Sequence, residues 1–231
     1  MKPLILLDFD GVLFNSAYEA YQVCERVAAD HSGYRRGISF DEFMGFRAHL
    51  TDAWQFCRLY KKGRLLKDPS TLKEQVPDDV DWAFSKDFFA ARAEMIKDPD
   101  WAKLMSPYPF FYQLRPLLAK YPDTFKILST RNRASIERTL EFFEAKDIEI
   151  HGQEDIREYG SKLGVAKHKG WLESGCYVVY IDDMNSHLEP FETEVNLCIH
   201  AGWGYDTASF DSYTQGQAFQ IISGFIRLVY E

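Results

Sequence analysis

The stretch LILLDFDGV, residues 4–12, decides how the remainder of the chain is interpreted. Its consecutive apolar residues, 4–7, predict a strand that is buried on both faces, as strands of parallel sheets are. Asp8 and Asp10 follow where this strand would end, and ligand sites in open α/β sheets lie at that end of the strands. Burying two like charges so close together is unfavourable without a compensating cation or proton. The pair therefore predicts a bound hard cation, and Mg²⁺ is the simplest candidate.

The composition is typical of a globular protein with one elaborated domain or two small ones. The chain has 231 residues, of which 46% are hydrophobic and 27% are charged. A net charge of −8 argues against a nucleic-acid surface that covers the whole protein. The N-terminus is a poor signal peptide, and no apolar run approaches the roughly 20 residues of a membrane helix. The four cysteines show neither CxxC spacing nor His pairing, so we expect reduced thiols and a cytoplasmic location.

Residues 16–106 carry helix signals and no strand signal. Apolar residues recur at helical spacing through most of this region, and an S-x-x-E capping box begins at Ser39. The predicted helices cover about 17–31, the residues after Ser39, 52–64 and 79–97. On the last of them we expect Trp82, Phe89 and Met95 to be buried. An insertion of this size can form a small core of its own.

From residue 107 onward, strand and helix patterns alternate. The predicted strands are 126–128, 148–150, 177–181 and 197–199. The predicted helices are 113–121, one on which Ile136, Leu140 and Phe143 share a face, 162–173 and 217–230. Such alternation is typical of right-handed crossovers between parallel strands. The sequence therefore predicts an α/β fold, with a parallel-sheet domain formed by 1–15 and 107–231 and an all-α domain, 16–106, inserted into it.

Polar side chains follow two further predicted strands at the point where each ends. Ser129 and Thr130 come after the second strand, and Asp182 and Asp183 come after the fourth. A Ser-Thr pair in this position is usually a helix N-cap, but a helix N-terminus is itself an anion site. Adjacent acids at a buried strand end are rare without a cation. Both strand ends are therefore candidates for the same site as Asp8.

The DFDGV stretch, residues 8–12, and these strand ends resemble the motifs of the haloacid dehalogenase-like (HAD-like) superfamily, whose first motif is DxDGV or DxDGT. The resemblance covers about residues 1–14 and 107–205, with the motifs in the family's order, and it implies a Rossmann-like core. It implies that Asp8 is a nucleophile that forms an aspartyl-phosphate. It also implies that Asp10 is the general acid/base and offers its backbone carbonyl to Mg²⁺.

The same resemblance implies roles for the other strand ends. Ser129, with Thr130 beside it, would hold the phosphoryl oxygens through its hydroxyl and nearby amides. Asp183 would complete the Mg²⁺ shell, and Asp182 would be a second ligand or an outer-shell acceptor.

A lysine is also expected, because a phosphoryl group beside a carboxylate nucleophile needs a fixed cation. The family places this lysine at the start of the helix before the fourth strand. Lys162 fits that place, twenty residues before Asp182. Lys167 and Lys169 are alternatives.

Asp10 favours phosphoryl transfer over dehalogenation, because haloacid dehalogenases lack the second acid. The resemblance then implies a Mg²⁺-dependent phosphatase acting on a small phosphomonoester, such as a sugar phosphate or a nucleotide, with 16–106 as a cap that closes over the pocket. A phosphomutase on the same core is the nearest alternative. A non-catalytic phosphate- or metal-binding regulator is an alternative of another class, which the presence of both Asp8 and Asp10 disfavours.

A basic and aromatic cluster lies between residues 47 and 64. Its members are Arg47, His49, Trp54, Arg58, Tyr60, Lys61, Lys62 and Arg64. It is interpreted either as a solvated helix face, which is usual for charge runs and is favoured here, or as a contact surface for an anionic or ring-bearing leaving group.

Overall fold

The computed structural model describes residues 2–62, 71–72, 75–145, 147–173, 175–206 and 211–231. These residues divide into two compact units. The sheet unit comprises 2–15 and 106–231, and the helical unit comprises 16–105. The helical unit is thus an insertion between two segments of the sheet unit.

The two units contain the following described elements. The strands are β1 (Lys2–Leu7), β2 (Phe14–Asn15), β3 (Ser106–Pro107), β4 (Phe125–Leu128), β5 (Glu149–His151), β6 (Cys176–Asp182), β7 (Leu197–Ala201) and β8 (Ser212–Tyr213). The helices are α1 (Ala17–Asp30), α2 (Phe40–Arg47), α3 (Ala53–Tyr60), α4 (Asp79–Met95), α5 (Pro109–Lys120), α6 (Arg133–Phe142), α7 (Gln153–Tyr159), α8 (Lys162–His168), α9 (Asn185–Leu188) and α10 (Gln215–Tyr230). Short 3₁₀ helices cover Trp101–Leu104, Pro122–Thr124 and Glu189–Phe191.

Strand β1 lies inside the sheet, between β4 and β6. The described residues of the sheet unit form a six-stranded sheet in the order β5-β4-β1-β6-β7-β8, and every neighbouring pair is parallel. Leu7 at the end of β1 is opposite Ile127 on β4 and Ile181 on β6. The ends of these strands are therefore level, and the residues that follow them meet at one edge of the sheet. This architecture confirms the predicted α/β class.

The sheet unit differs from the sequence-based elements in detail. Helix α5 begins at Pro109, four residues before the predicted start, because a proline suits the first turn of a helix, where its missing N–H is not needed. Helix α8 ends at His168, and Gly170 follows in the left-handed conformation with φ +68°. Helix α7 was not predicted, because it buries none of its residues and so carries no apolar stripe. Strand β8 is only two residues long, too short to show an alternating pattern.

Aromatic side chains fill much of the core of the helical unit. Phe43, Phe56, Phe84 and Phe88 are buried in one hydrophobic cluster. The rings of Phe43 and Phe56 stack with centroids 5.4 Å apart, and those of Phe56 and Phe88 with centroids 5.3 Å apart. The aromatic residues of this segment therefore build a core that belongs to the insertion itself.

The local helix signals of the helical unit are partly confirmed. The side chain of Ser39 accepts a hydrogen bond of 3.1 Å from the amide of Glu42, so it caps α2 as predicted. Helix α3 ends at Tyr60, four residues before the predicted end at 64. The last two residues of the predicted helix, 63–64, lie outside the described residues.

The predicted buried side of α4 is wrong for Trp82, which is 56% exposed. Phe84 and Phe88 are buried instead. Asp81 and Arg92 also face the interior, where each forms an ion pair with a residue of another helix. Phe89 and Met95, the other two predicted residues, are partly buried against this core. Polar residues thus share the buried face, so apolar spacing alone misplaces one edge of it.

The solvated-face interpretation of the cluster at 47–64 is wrong for α3. Trp54, Arg58 and Tyr60 are all buried, and Arg58 is hydrogen-bonded to Asp81. A buried guanidinium needs such a partner, and here it joins α3 to α4. Arg64 lies outside the described residues. Arg58 is therefore an internal cation of the helical unit.

None of the helices in the described chain combines the length and the hydropathy that a membrane crossing requires. All four cysteines are described, and none of them forms a disulfide.

Candidate active site

Asp8 and Asp10 lie at the carboxyl edge of the sheet, directly after β1. The amide of Asp8 donates a hydrogen bond of 2.9 Å to the carbonyl of Ile181 at the end of β6. The Asp8 side chain is 6% exposed and that of Asp10 is 19% exposed. The chain then turns at Gly11, whose φ of +81° favours glycine. The two carboxylates are thus held on a tight turn, with Asp8 the deeper of the two.

Lys162 connects the ends of β1 and β6. Its Nζ lies 3.0 Å from Oδ1 of Asp8 and 2.6 Å from Oδ2 of Asp182. The lysine side chain is 5% exposed. By contrast, Lys167 lies at the surface with its Nζ 2.7 Å from Glu194, and Lys169 is exposed. Of the three candidate lysines, Lys162 is the one that the fold brings to Asp8.

Asp182 is surrounded by hydrogen-bond donors. Besides Lys162, the hydroxyl of Tyr180 and the amide of Met184 donate to its carboxylate, the latter over 2.9 Å. Nδ1 of His187 on α9 lies 3.2 Å from its Oδ1, a hydrogen bond when that nitrogen carries the proton. Burial would raise the pKa of Asp182, but the charges of Lys162 and His187 outweigh burial and hold that pKa well below its usual range. Asp182 is therefore a carboxylate at neutral pH.

For Asp8, the effect of burial on the pKa outweighs that of the neighbouring cation, the reverse of Asp182. Burial raises the pKa of Asp8, and the nearby charge of Lys162 only partly opposes this shift. For Lys162, burial lowers the pKa, but the carboxylates of Asp182 and Asp8 outweigh it and the net shift is upward. One ammonium group therefore lies between two buried carboxylates, and it compensates Asp182 more fully than Asp8.

The carboxylate of Asp183 fills a space that two glycines leave open. A Cβ atom at Gly11 would lie 2.1 Å from Oδ2 of Asp183, and one at Gly204 would lie 2.2 Å from its Cβ. The amide of Tyr205 donates a hydrogen bond of 2.7 Å to the same Oδ2. His200 on β7 lies with Nε2 3.0 Å from the Asp183 carbonyl oxygen. Asp183 is thus fixed against the turn that follows Asp10.

The loop after β7, residues 202–205, also forms hydrogen bonds with the segment that follows Asp10, residues 12–15. Nε1 of Trp203 donates a hydrogen bond of 3.0 Å to the carbonyl of Val12, and the hydroxyl of Tyr205 lies 3.3 Å from Oδ1 of Asn15. This loop therefore connects the turn after β1 to Asp183.

Ser129 and Thr130 follow β4 at the same edge. Ser129 is fully buried, and its Oγ accepts a hydrogen bond of 3.3 Å from the amide of Arg131. Thr130 is half-buried. Arg131 extends toward β1, where its Nη1 lies 3.0 Å from Oδ1 of Asp10. The end of β4 thus supplies hydroxyl groups and a guanidinium to the site.

A comparison with protein-family models finds no match, and a comparison with curated proteins finds none. Solved structures do match. A predicted phosphoglycolate phosphatase from Haemophilus somnus is 14% identical, with a TM-score of 0.65 over 97% of this chain and 98% of that chain. A haloacid dehalogenase-like hydrolase from Streptococcus pneumoniae is 14% identical, with a TM-score of 0.61 over 97% and 98%. The chain has the haloacid dehalogenase-like fold.

A third match is CbbY from Rhodobacter sphaeroides, a D10N mutant in a complex with xylulose 1,5-bisphosphate. It is 10% identical, with a TM-score of 0.57 over 92% of this chain and 94% of that chain. The coverage is nearly complete in every case. Both the sheet unit and the helical insertion therefore lie within the length over which the HAD-like fold is matched.

The residues present fit the Mg²⁺ that the resemblance to the HAD-like motifs implies. Ligand atoms of Asp8, Asp182 and His187 lie within 4.8 Å of one another, but Asp182 already accepts hydrogen bonds from Lys162 and other donors. Asp183 offers a carboxylate in the space beside Gly11. Carboxylate and carbonyl oxygens are the ligand atoms that Mg²⁺ prefers. A divalent cation would compensate the negative charge of Asp8, which Lys162 compensates only in part.

Sequence reasoning missed Arg131, Tyr180 and His187. Arg131 could have been suspected, because it follows the Ser-Thr pair at a buried strand end. Tyr180 lies inside the apolar run of β6, where a tyrosine is ordinary core. His187 lies on a short segment without a motif. Only the fold brings these side chains to the acids.

Proposed function

We propose that this protein is a Mg²⁺-dependent phosphatase that hydrolyses a small phosphomonoester through an aspartyl-phosphate on Asp8. One observation carries the proposal: Lys162 lies between Asp8 and Asp182, 3.0 Å and 2.6 Å away, at the edge where Asp10 also lies. A carboxylate nucleophile facing an anionic phosphoryl group needs such a fixed cation.

In the first step an oxygen of Asp8 attacks phosphorus and the bond from phosphorus to the leaving oxygen breaks. Asp10 donates a proton to that oxygen, so the substrate leaves as an alcohol. In the second step Asp10, now a carboxylate, accepts a proton from water. The hydroxide oxygen bonds to phosphorus, the bond to Asp8 breaks, and phosphate is released while Asp10 is protonated again.

The phosphoryl oxygens are proposed to bind Ser129, Thr130 and Lys162. A serine hydroxyl that accepts one hydrogen bond can still donate its own proton, so Ser129 can hold Arg131 and a phosphoryl oxygen together. Mg²⁺ bound by Asp8, the Asp10 carbonyl and Asp183 would neutralise charge on the phosphoryl group. Asp182 is proposed to fix Lys162 and to lie outside the inner metal shell.

The substrate is proposed to be a small phosphorylated metabolite, such as a sugar phosphate. The support is the fold shared with CbbY, which binds xylulose 1,5-bisphosphate in its crystal structure. The helical unit, 16–105, is proposed to be the cap that selects the substrate. Arg58 of this unit is not proposed to contact the substrate, because its side chain is buried and ion-paired with Asp81.

The deciding experiment measures phosphate release from a panel of sugar phosphates, nucleotides and p-nitrophenyl phosphate with Mg²⁺ present. We expect turnover on at least one of them, its loss in Asp8→Asn with an unchanged circular-dichroism spectrum, and BeF₃⁻ bound to Asp8 in a crystal structure. An isomerised product without free phosphate would instead identify a phosphomutase. Normal turnover in Asp8→Asn would overturn the covalent mechanism.

A further inference from the structure

Arg131 is a buried guanidinium beside the residue proposed to transfer protons. Its side chain is 1% exposed, whereas that of Asp10 is 19% exposed. Nη1 of Arg131 lies 3.0 Å from Oδ1 of Asp10. The arginine thus approaches the acid from the interior and leaves part of the carboxyl group accessible.

The guanidinium is itself fixed by several contacts. Nε donates a hydrogen bond of 2.7 Å to Oγ of Ser135 on α6, and Oγ of Ser135 donates one of 2.9 Å to the carbonyl of Asn132. The guanidinium carbon lies 5.8 Å from the centre of the buried ring of Phe9. Arg131 therefore presents its Nη1 from one defined position.

We infer that Arg131 is a positioning residue, which holds the Asp10 carboxyl group in the orientation that proton transfer requires. The inference rests on the proposed function. Proton transfer needs hydrogen-bond geometry at the leaving oxygen in one step and at the attacking water in the next. Asp10 lies on a turn beside Gly11, and one of its oxygens is bound to a rigid group, so the other oxygen keeps a constant direction.

Orientation of the Asp10 carboxyl group explains the Arg131–Asp10 ion pair better than a contribution to folding stability does. A buried ion pair recovers its desolvation energy only in part, and apolar residues often replace such pairs without loss of stability. Lysine would keep the charge, but its single nitrogen cannot contact Ser135 and Asp10 with the fork that arginine offers. Arg131→Lys therefore separates orientation from charge.

The test is a double-mutant cycle on kcat/KM with Arg131→Lys, Asp10→Asn and the double variant. Two substrates are compared, glycerol 2-phosphate and p-nitrophenyl phosphate. The value of kcat/KM covers only the steps up to departure of the leaving group, and p-nitrophenolate departs without a proton. If Arg131 acts through Asp10, Arg131→Lys lowers kcat/KM for glycerol 2-phosphate on the order of 100-fold and for p-nitrophenyl phosphate much less. In the Asp10→Asn background it has no further effect.

Equal losses on both substrates, or losses that multiply in the double variant, would overturn the inference. So would a wild-type rate in Arg131→Lys. A wild-type chain that releases no phosphate from any ester would overturn the proposed function first, and this inference with it. The two failures are therefore distinguishable.

Arg138→Lys is the matched control, because Arg138 lies on α6, the helix that carries Ser135, is 34% exposed and has its Nη1 3.3 Å from Glu141, far from the proposed proton transfer. It should retain wild-type kcat/KM. If Arg131→Lys does not fold, the Ser135→Ala variant tests the inference in its place. It removes one contact of the guanidinium, and we expect about a tenfold loss that is confined to glycerol 2-phosphate. No difference between the two substrates in Ser135→Ala would then count against the inference.

Discussion

The Nζ atom of Lys162 lies 3.0 Å from Oδ1 of Asp8, although the two residues are far apart in the sequence. Parallel pairing of β1 with β6 brings Asp8 and Asp182 to the same edge of the sheet, and Lys162, at the start of α8, lies beside both. Asp182 holds the lysine from the other side at 2.6 Å. The proposed nucleophile is therefore next to a cation whose position is fixed before any substrate arrives, which is the preorganisation that electrostatic catalysis requires.

Lys162→Met should abolish phosphatase activity and lower the free energy of unfolding by about 3–5 kcal/mol, because it leaves Asp8 and Asp182 buried without their cation. Lys162 and His187 hold the pKa of Asp182 below its ordinary value. The pairing thus stabilises the folded state above the ordinary pKa of an aspartate, and this stabilisation is lost as pH falls through the lowered value. The stability difference between variant and wild type should consequently shrink in acid.

Urea denaturation at several pH values measures this difference. Lys167→Met is the control, because Lys167 is half exposed and paired with Glu194 at the surface, and it should be active and stable. A fully active Lys162→Met would show that another lysine binds the phosphoryl group.

Asp183→Ala should raise the Mg²⁺ concentration needed for activity and weaken Mg²⁺ binding in calorimetry. It removes the carboxylate that lies against Gly11, while Lys162 and Asp182 keep their contact. Activity of the wild type should vanish in EDTA and return with Mg²⁺, and Ca²⁺ should restore it poorly because its larger, looser shell misplaces the nucleophile. Glu137→Ala changes an exposed acid on α6 and should leave Mg²⁺ binding as it is. Full activity in EDTA would contradict the proposed metal site.

Gly204→Ala should weaken Mg²⁺ binding in the same way without changing any proposed ligand. The added Cβ would lie 2.2 Å from Cβ of Asp183 and 2.6 Å from its Oδ2, so the carboxylate must move. Gly216→Ala is the control, since a Cβ there meets nothing within 4 Å. Calorimetric Mg²⁺ titration of both variants checks the prediction, and equal affinities would mean that Asp183 does not hold the ion.

Asp10→Asn should retain binding of Mg²⁺ and of phosphate analogues, because its backbone carbonyl is the proposed ligand. Its kcat/KM should fall roughly 10²–10⁴-fold for an alkyl phosphate, the usual contribution of general acid/base catalysis. The fall should be smaller for p-nitrophenyl phosphate, whose leaving group needs no proton. Phosphate release from the two substrates side by side measures the gap, and equal losses would argue that Asp10 has only a structural role.

Local sequence patterns determined which strands end in polar groups. The runs before Asp8 and Asp182 are short and uninterrupted, the run before Ser129 contains one lysine, Lys126, and runs of this length that end in polar residues favour buried strands. Parallel strands bring their carboxyl ends to one edge, so the meeting of these residues was predictable once the alternation of strands and helices was recognised.

Only the tertiary structure decided which side chains touch. The sequence left Lys162, Lys167 and Lys169 open, because it does not fix how a short helix is rotated against the sheet. It gave no partner for Arg131, whose contact with Asp10 spans 121 residues. It also misplaced Trp82, because the inner face of α4 includes charged residues that pair across helices. Local patterns report the burial of apolar surface, whereas an ion pair between distant residues forms only when packing brings both ends together.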